Sequence, residues 1–300
     1  MKPYNRKKAT LPTEIGIDSV LDVVTPVEEP TINDLTLYEK LPEWLQNFRT
    51  NLDTIGFNYT ITDLPRLDGQ SALVVEKPMS STSFFNQVEY LKEYDGTIIV
   101  CDRALYKVLE YGVIPEYVCQ LDSSWLCWSF FDRPDVKKHM DKITAIFSTT
   151  THPLTIRLWH GKRVFFQPYM GSADLTSALM RIGKVPYMET GGQVATFCWL
   201  LAAVLGANPI GIFGITNSFD KLSESEYPNV KHRKVKTPYG TVYQDPVFQM
   251  YAESHLKIIE AAYEKRGIVT INCTKTGCMY GKGIKDWTLK QFIDSQQKVK

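Results

Sequence analysis

Two aspartates stand directly after short apolar runs, and they are the first candidates for chemistry. Asp102 follows residues 97–101, and Asp122 follows residues 117–121. A carboxylate at such a position can bind a ribose hydroxyl, hold Mg²⁺ or act as a base. The alternative is a structural cap on the next helix, and Asp102 is well placed for that role. The residues alone leave both interpretations open.

A glycine pair, Gly191 and Gly192, precedes the apolar run at residues 194–205. Because glycine has no Cβ, the backbone N–H groups of such a turn can approach an anion. The first turn of the following helix also favours negative charge. Thr190 is a candidate cap for this helix. The alternative is a tight turn that serves only close packing.

Three further polar segments are weaker signals. Residues 272–278 include Thr274 and Lys275, which can contact phosphate or form a plain polar loop. Asp245 precedes Pro246 and is interpreted as a helix cap, because proline suits the first helical position. The basic residues 231–236 lie in a predicted loop between Phe219 and Gly240. That loop is either a basic lid over a phosphate-bearing ligand or a solvated loop.

Short apolar runs alternate with helical patterns from residue 71 onward, which indicates a parallel sheet. The predicted fold is α/β, a Rossmann-like and mostly parallel sheet with helices on both faces. Ligands bind outside the carboxyl ends of such strands, where Asp102 and Asp122 stand. The predicted strands are 72–75, 97–101, 117–121, 143–148, 163–167, 209–214 and 268–272, and the predicted helices are 84–94, 104–111, 193–205, 246–266 and 289–297.

The first part of the chain has a different pattern. Residues 1–34 are predicted to form a partly disordered arm. Residues 35–70 are predicted as a helical N-terminal extension, with Pro42 in a first helical turn. Residues 71–297 are predicted as the α/β domain.

Composition limits the environment and the partners. Among 300 residues, 44% are apolar, 22% are charged and the formal net charge is +1. No global field therefore favours nucleic acid or an acidic membrane, and neither is predicted as a partner.

Cys101, Cys119 and Cys198 lie in apolar runs and are interpreted as core thiols. With no signal peptide and no apolar run long enough to span a bilayer, a cytoplasmic location is predicted. The oligomeric state is not predicted.

Several segments together are similar to one family. The chain resembles the archaeal 6-hydroxymethyl-7,8-dihydropterin diphosphokinase (MptE-like) domain family over roughly residues 70–295. The same domain occurs in motility-associated glycosyltransferases of bacterial flagellins, whose donors are nucleotide-activated sugars. The segments that carry the resemblance are 98–105, 112–118, 121–122, 191–196, 205–210, 245–248, 271–277, 283–284 and 289–293.

The resemblance implies a transferase with a nucleotide or nucleotide-linked small molecule as its ligand, and Mg²⁺ as its metal. The implied catalytic and metal-binding residues are Asp102 and Asp122. The implied nucleotide or phosphate contacts are Lys77, Ser80, Arg103, Gly191, Gly192, Gln193, Thr274 and Lys275.

Two departures from the family bear on the reaction. Residues 76–80 replace the phosphate-cradling Gly-x-Gly-Pro-Ser turn, with Glu76 and Lys77 where the turn begins, and Thr216 stands where an aspartate is usual. The first hypothesis is a pyrophosphoryl transfer from ATP, as in 6-hydroxymethylpterin diphosphokinase. The alternatives are a stand-alone glycosyltransferase and a non-catalytic binding protein. The hypothesis of a non-catalytic binding protein predicts a crevice that is blocked by Glu76 or Met79.

Overall fold

The computed structural model describes residues 32–56, 58–78, 82–225 and 229–297. Most of the predicted N-terminal arm therefore lies outside the described residues. The strands are β1 (Tyr59–Thr60), β2 (Ala72–Val75), β3 (Thr97–Cys101), β4 (Tyr117–Gln120), β5 (Thr144–Ser148), β6 (Arg163–Phe166), β7 (Ile210–Phe213), β8 (Arg233–Thr237), β9 (Gly240–Gln244), β10 (Thr270–Asn272) and β11 (Ile284–Asp286).

Helices surround the strands. The α-helices are α1 (Ile32–Ile55), α2 (Thr82–Phe85), α3 (Leu105–Glu110), α4 (Pro134–Lys137), α5 (Pro153–Leu158), α6 (Ala173–Gly183), α7 (Val194–Leu205), α8 (Pro246–Arg266) and α9 (Leu289–Gln297). Short 3₁₀ segments cover Ile61–Asp63, Val88–Glu93, Asp102–Ala104, Trp125–Phe130, Met140–Lys142 and Leu222–Glu224.

The centre of the molecule is a sheet of nine strands in the order β1-β6-β5-β4-β3-β2-β7-β10-β11. Every neighbouring pair in this sheet is parallel. The predicted parallel α/β fold is confirmed. Strands β8 and β9 form a separate antiparallel hairpin. Residues 231–236 were predicted as a loop. That prediction is wrong for residues 233–236, which form most of β8.

Apolar side chains of the sheet point alternately to two cores, as the strand period requires. Val74 and Ile99 pack on one face against α7 and α8. Val75 and Val100 pack on the other face against the short helices and α9. Helix α7 is apolar on all sides because it lies between the sheet and α8. The second core also contains stacked and edge-on aromatic rings, such as Phe84 on Phe213.

Several helix predictions are confirmed and others are wrong in detail. Helix α8 begins at the predicted Pro246, and Asp245 caps it by accepting a 2.7 Å hydrogen bond from the N–H of Phe248. Pro42 does not sit in a first turn, because α1 begins at Ile32 and contains this proline. The predicted helix at 84–94 is two pieces, α2 and the 3₁₀ segment Val88–Glu93. Helix α6, strands β1 and β11, and the β8–β9 hairpin were not predicted.

Candidate functional site

The strand order shows where a ligand crevice can form. From β2 the chain continues to β3, β4, β5 and β6 on one side of the sheet, and from β7 it continues to β10 and β11 on the other side. Connections that leave adjacent strands in opposite directions open a gap at the carboxyl ends of those strands. In open α/β sheets this gap is the usual ligand site. By this rule the candidate ligand site of this chain is where β2 and β7 end, with the end of β3 beside it.

The ends of β2 and β7 approach each other very closely. The N–H of Glu76 donates a 2.9 Å hydrogen bond to the carbonyl of Phe213. Gly214 has a φ of 87°, and a Cβ at this position would lie 1.8 Å from the carbonyl oxygen of Glu76. Only glycine fits both conditions. The first residue after β2 is therefore fixed against the first residue after β7.

Two acidic groups share this region. Burial raises the pKa of Glu76 to about 7, with a further rise from Asp102 and an opposing effect from Arg103. Burial also raises the pKa of Asp102 to about 7, opposed by the N–H and charge of Arg103 and increased by Asp122. One Asp102 oxygen accepts a 2.6 Å hydrogen bond from the N–H of Arg103. Glu76, Asp102, Arg103 and Asp122 are thus one electrostatic group, called the acidic cluster below.

Asp122 is the exposed member of the acidic cluster. One of its oxygens accepts a 2.8 Å hydrogen bond from the N–H of Ser124. Ser124, not Asp122, caps the helical segment Trp125–Phe130. The side chains of Trp125 and Leu126 follow at once and are 57% and 56% exposed. An unburied carboxylate and an apolar surface therefore lie side by side at the end of β4.

Helix α7 begins near Asp102. The sulfur of Cys198, in the second turn of α7, lies 3.9 Å from the sulfur of Cys101 at the end of β3. The other end of α7 meets the residues before β2, where the carbonyl of Gly206 accepts a hydrogen bond from the N–H of Gly69. The helix thus runs against the strand direction, and its first turn lies at the edge where the strands end.

The predicted phosphate donors before α7 have partners within their own loop. Glu189 accepts hydrogen bonds of 3.0 and 3.2 Å from the N–H groups of Thr190 and Gly191. Its other oxygen accepts a 2.6 Å bond from the hydroxyl of Tyr187. The hydroxyl of Thr190 accepts a 3.4 Å bond from the N–H of Gly192. The carboxylate of Glu189 therefore occupies the position in which these amides would otherwise hold an anion.

The glycine at position 191 is required by the turn. Its φ is 63°, and a Cβ would lie 2.2 Å from Cγ2 of Thr196. Thr190 does not cap α7. Gln193 is the flanking residue, and its amide donates a 3.1 Å hydrogen bond to the hydroxyl of Thr196. The close-packing interpretation therefore describes Gly191, which is buried, while Gly192 and Gln193 beside it are partly exposed.

The loop after β10 is held closed by Thr274. This side chain is completely buried, and its hydroxyl accepts a 2.6 Å hydrogen bond from the N–H of Gly214. The carbonyl of Thr274 accepts a bond from the hydroxyl of Ser83. Lys275 is exposed and has a φ of 55°. Of the two residues predicted to contact phosphate here, Thr274 joins loops together and Lys275 has a side chain on the surface.

Two more predicted contacts belong to the segment after β2. Lys77 follows Glu76 and is partly buried. Ser80 and Met79 lie outside the described residues, so the predicted contact from Ser80 and the predicted blockage by Met79 stay predictions. Thr216, at the family's aspartate position, is 5% exposed and bonds to the carbonyl of Ser218.

The donor set bears on the predicted magnesium. Within the described ranges, no three His, Cys, Asp or Glu side chains are grouped so that they could hold a metal ion. Asp102 and Asp122 offer carboxylate oxygens, which are the ligands that Mg²⁺ prefers, but only as a pair. Mg²⁺ commonly takes its other ligands from water and substrate phosphates. The residues present fit an ion that arrives with a phosphate-bearing ligand.

A separate depression of about 420 Å³ lies at the opposite edge of the sheet, between Arg66 and Arg266. Its polar groups already serve the fold. Arg66 bonds to Asp68 and to the carbonyl of Val204, and Asn208 bonds to Gly267 and Val269. The helices α7 and α8 both end at this edge, with the negative ends of their dipoles. The candidate residues for chemistry lie at the other edge.

Sequence reasoning missed Glu76 as a member of the site. The rule that identified Asp102 and Asp122 selects acids directly after buried strands. Glu76 directly follows the fully buried β2 and satisfies the same rule. It was interpreted as a departure from the family turn and as a residue that could block the crevice, but not as a member of the site. The contribution of Glu189 could not be found in this way, because it depends on the folded path of one loop.

The comparisons with known proteins agree with this fold. Residues 79–221, slightly less than half of the chain, match the family model described as "6-hydroxymethylpterin diphosphokinase MptE-like". The resemblance is confirmed for this segment, which contains Asp102, Asp122 and the Gly191–Gly192 turn. No curated protein sequence matches the chain.

Five solved chains match. One is the structure of MAf glycosyltransferase from Magnetospirillum magneticum AMB-1, with a TM-score of 0.62 and 16% sequence identity. The similarity covers 86% of this chain and 42% of that chain, so the present chain spans less than half of its length. At this identity the likeness shows the fold. No described helix is both long and apolar enough to cross a membrane.

Proposed function

We propose that this chain, whose residues 79–221 match an MptE-like domain, is a transferase that takes a nucleotide-linked phosphate or diphosphate as its donor. The observation that carries the proposal is the acidic cluster at the carboxyl ends of β2, β7 and β3, where the strand order changes direction. Two of its carboxyl groups have a pKa of about 7, and they lie beside an arginine and the first turn of α7. Perturbed acids at such a crevice are typical of catalytic sites.

The acidic cluster suits proton transfer near neutral pH. A carboxylate with a pKa close to the working pH can take a proton from an attacking hydroxyl and still release it. Glu76 has this property and is not one of the proposed metal ligands, so it is the proposed base, and Asp122 is exposed to the acceptor. The apolar side chains of Trp125 and Leu126 offer a surface for the ring of an acceptor. Arg103 supplies positive charge for the donor phosphate.

The donor phosphate would bind at the first turn of α7. There it would accept hydrogen bonds from Gly191, Gly192 and Gln193, with Lys275 and Lys77 as candidate cations. Binding requires the carboxylate of Glu189 to leave the N–H groups of Thr190 and Gly191. An anion of higher charge competes well for such amides. Mg²⁺ held by Asp102, Asp122 and the donor would neutralise phosphate charge.

Two transfer reactions are compatible with this arrangement. The family description favours pyrophosphoryl transfer from ATP to a hydroxymethylpterin. The acid at position 76, where the family has a glycine turn for phosphate, favours glycosyl transfer from a nucleotide-activated sugar. Pyrophosphoryl transfer needs a close backbone cradle for several phosphates, and Glu76 repels them when ionised. We therefore propose glycosyl transfer as the reaction and pyrophosphoryl transfer as its alternative.

Ligand binding is tested first. Thermal unfolding of the purified chain is measured with ATP, CMP-sugars, UDP-sugars and GDP-sugars, each with Mg²⁺. At least one donor should raise Tm by a few degrees, as expected for a ligand at well above its Kd. Asp102→Asn and Asp122→Asn should remove the shift and remain folded. Asp141→Asn is the control, because Asp141 is exposed at the other edge, before β5. A panel without any shift would sink the proposal.

The reaction is tested second. ATP with 6-hydroxymethyl-dihydropterin is assayed for release of AMP, and the sugar donor that raised Tm is assayed for release of its nucleotide with an acceptor present. AMP release that depends on the pterin would show the alternative reaction. Release of the nucleotide from the sugar donor that depends on the acceptor, and that is abolished in Glu76→Gln and Asp102→Asn, would support glycosyl transfer. Binding without turnover in both assays would contradict the enzymatic role.

A further inference from the structure

Helix α1 is joined to the candidate site by two buried asparagines. Asn47 donates hydrogen bonds of 3.1 and 3.0 Å to the carbonyls of Ser123 and Thr150. Asn51, one turn later, donates bonds of 3.1 and 2.8 Å to the carbonyls of Thr149 and Thr151. The two side chains are 5% and 2% exposed. Four carbonyl groups at the ends of β4 and β5 therefore depend on a helix outside the family match.

One of these four carbonyls belongs to the loop of Asp122. Ser123 is 2% exposed, and it lies between Asp122 and the Ser124 N–H that donates to Asp122. Asn47 fixes the carbonyl in the middle of this turn. The carbonyls held by Asn51 all belong to the loop after β5. The two asparagines thus have the same chemistry and the same burial, but only Asn47 contacts the turn that carries the candidate carboxylate.

We infer that Asn47 is a positioning residue for Asp122, so that α1 is a working part of the site rather than an appendage. The inference rests on the proposed function in its use of Asp122. A catalytic carboxylate must be held within a fraction of an ångström, and exposed loops need support from neighbouring side chains to achieve this. Asp122 is exposed, and the turn behind it is secured through Ser123.

The β5 loop extends the same support. The hydroxyl of Thr151 donates a 3.1 Å hydrogen bond to the carbonyl of Gln120, the last residue of β4. The hydroxyl of Thr149 donates a 2.9 Å bond to the side chain of Gln167. The first bond holds the end of β4 to the β5 loop, and the second holds that loop to the residue after β6. Among the described contacts, only Asn47 donates a hydrogen bond to the carbonyl of Ser123.

The first test does not require a ligand. Hydrogen exchange is measured for the amides of Ser124 and Leu126, which donate to Asp122 and to the hydroxyl of Ser124. Asn47→Ala should speed their exchange by about tenfold or more, because the turn opens more often. Asn51→Ala should leave both rates within about twofold while lowering Tm by a similar amount. Equal effects of the two variants on these amides would overturn the inference.

The second test uses the donor that raises the Tm of the native chain. Asn47→Ala should weaken its Kd by about tenfold, which corresponds to about 1.4 kcal/mol. Asn51→Ala should change Kd by less than about twofold at the same loss of Tm. Equal losses of affinity would mean that α1 only stabilises the domain. If Asn47→Ala does not fold, Asn47→Ser is used instead, because serine keeps a shorter hydrogen-bond donor. Its effects on Kd and on the exchange rates should have the same direction and be smaller.

The two proposals fail in different ways. If no donor binds the native chain, the proposed function is wrong, and the exchange of Ser124 and Leu126 still decides whether Asn47 orders the turn. If a donor binds and depends on Asp122 but not on Asn47, the proposed function stands and the positioning role is wrong.

Discussion

The hydroxyl of Thr274 accepts a 2.6 Å hydrogen bond from the N–H of Gly214. This bond joins the loop after β10 to the loop after β7, across the crevice side of the sheet. Gly214 has no space for a side chain, because Glu76 lies against it. The backbone there can be satisfied only by a neighbouring loop, and Thr274 is the group that does so.

Replacement of Thr274 should therefore test a structural role. Thr274→Val keeps the shape but leaves the buried N–H of Gly214 without an acceptor, which costs about 1–3 kcal/mol. Thr274→Ser retains the acceptor and should lose less than about 1 kcal/mol. The free energy of unfolding is measured by urea denaturation. A larger loss in Thr274→Ser than in Thr274→Val would show that the methyl group matters more than the hydrogen bond.

Glu76 should make stability depend on pH. Its folded-state pKa is raised from 4.5 to about 7 by burial. The folded protein then holds this proton more tightly than the unfolded chain. The contribution to stability is complete below pH 4.5 and is lost as the pH rises to about 7.

Glu76→Gln stays neutral at every pH and tests this dependence. The variant should be more stable than the native chain at about pH 8, by roughly 1–3 kcal/mol, and equal to it at about pH 4. Denaturation curves across this range measure the difference, with Asp141→Asn as the control for loss of an exposed acid. A difference that is the same at all pH values would contradict a raised pKa for the partly buried Glu76.

Much of the fold could be predicted because parallel strands have a strong local signature. Runs such as residues 72–75 and 97–101 are buried on both faces and contain only apolar residues or threonine. The same signature located Asp102 and Asp122, since each directly follows such a run. The β8–β9 hairpin was missed because both strands are partly exposed and β8 is rich in lysine and arginine, which conceals the alternation.

The side-chain roles were harder to predict, since they depend on contacts between distant segments. Thr274 and Gly214 are 60 residues apart, and Asn47 and Ser123 are 76 apart. No local pattern shows such pairs. The sequence left anion binding and close packing open at Gly191 and Gly192, and the fold brings Glu189 to Gly191 and Thr190 to Gly192. A polar strand-end residue can thus be recognised locally, but whether it faces a ligand or another loop cannot.

Magnesium should bind only together with a donor. The described part of the chain has a pair of candidate carboxylates and no larger metal-binding group. A pair of exposed or protonated acids holds Mg²⁺ weakly, because the ion gives up its water reluctantly. Mg²⁺ alone should leave Tm unchanged, and removal of Mg²⁺ with EDTA should reduce the Tm shift produced by the donor. A clear rise in Tm with Mg²⁺ alone that is lost in Asp102→Asn would contradict the prediction that Mg²⁺ binds only together with the donor.

His255 should limit stability at acidic pH. It is completely buried, its ring lies edge-on to Trp199, and neither ring nitrogen has a partner among the described residues. Burial lowers the pKa of His255 from 6.5 to about 3. The unfolded chain therefore takes up this proton before the folded protein does. Stability is complete above pH 6.5 and falls as the pH is lowered toward 3, by up to about 1.4 kcal/mol per pH unit.

Two substitutions separate the charge of His255 from its polarity. His255→Gln cannot be protonated but keeps a buried polar group, so it should remove the acid sensitivity below pH 6.5 without a gain at neutral pH. His255→Leu removes both and should also gain about 1 kcal/mol or more at neutral pH, since no unpaired polar group remains. Urea denaturation at about pH 5 and 7.5 measures each effect. If both variants lose stability equally at the two pH values, the histidine ring fills its space in a way that neither replacement can, and its titration does not govern acid stability.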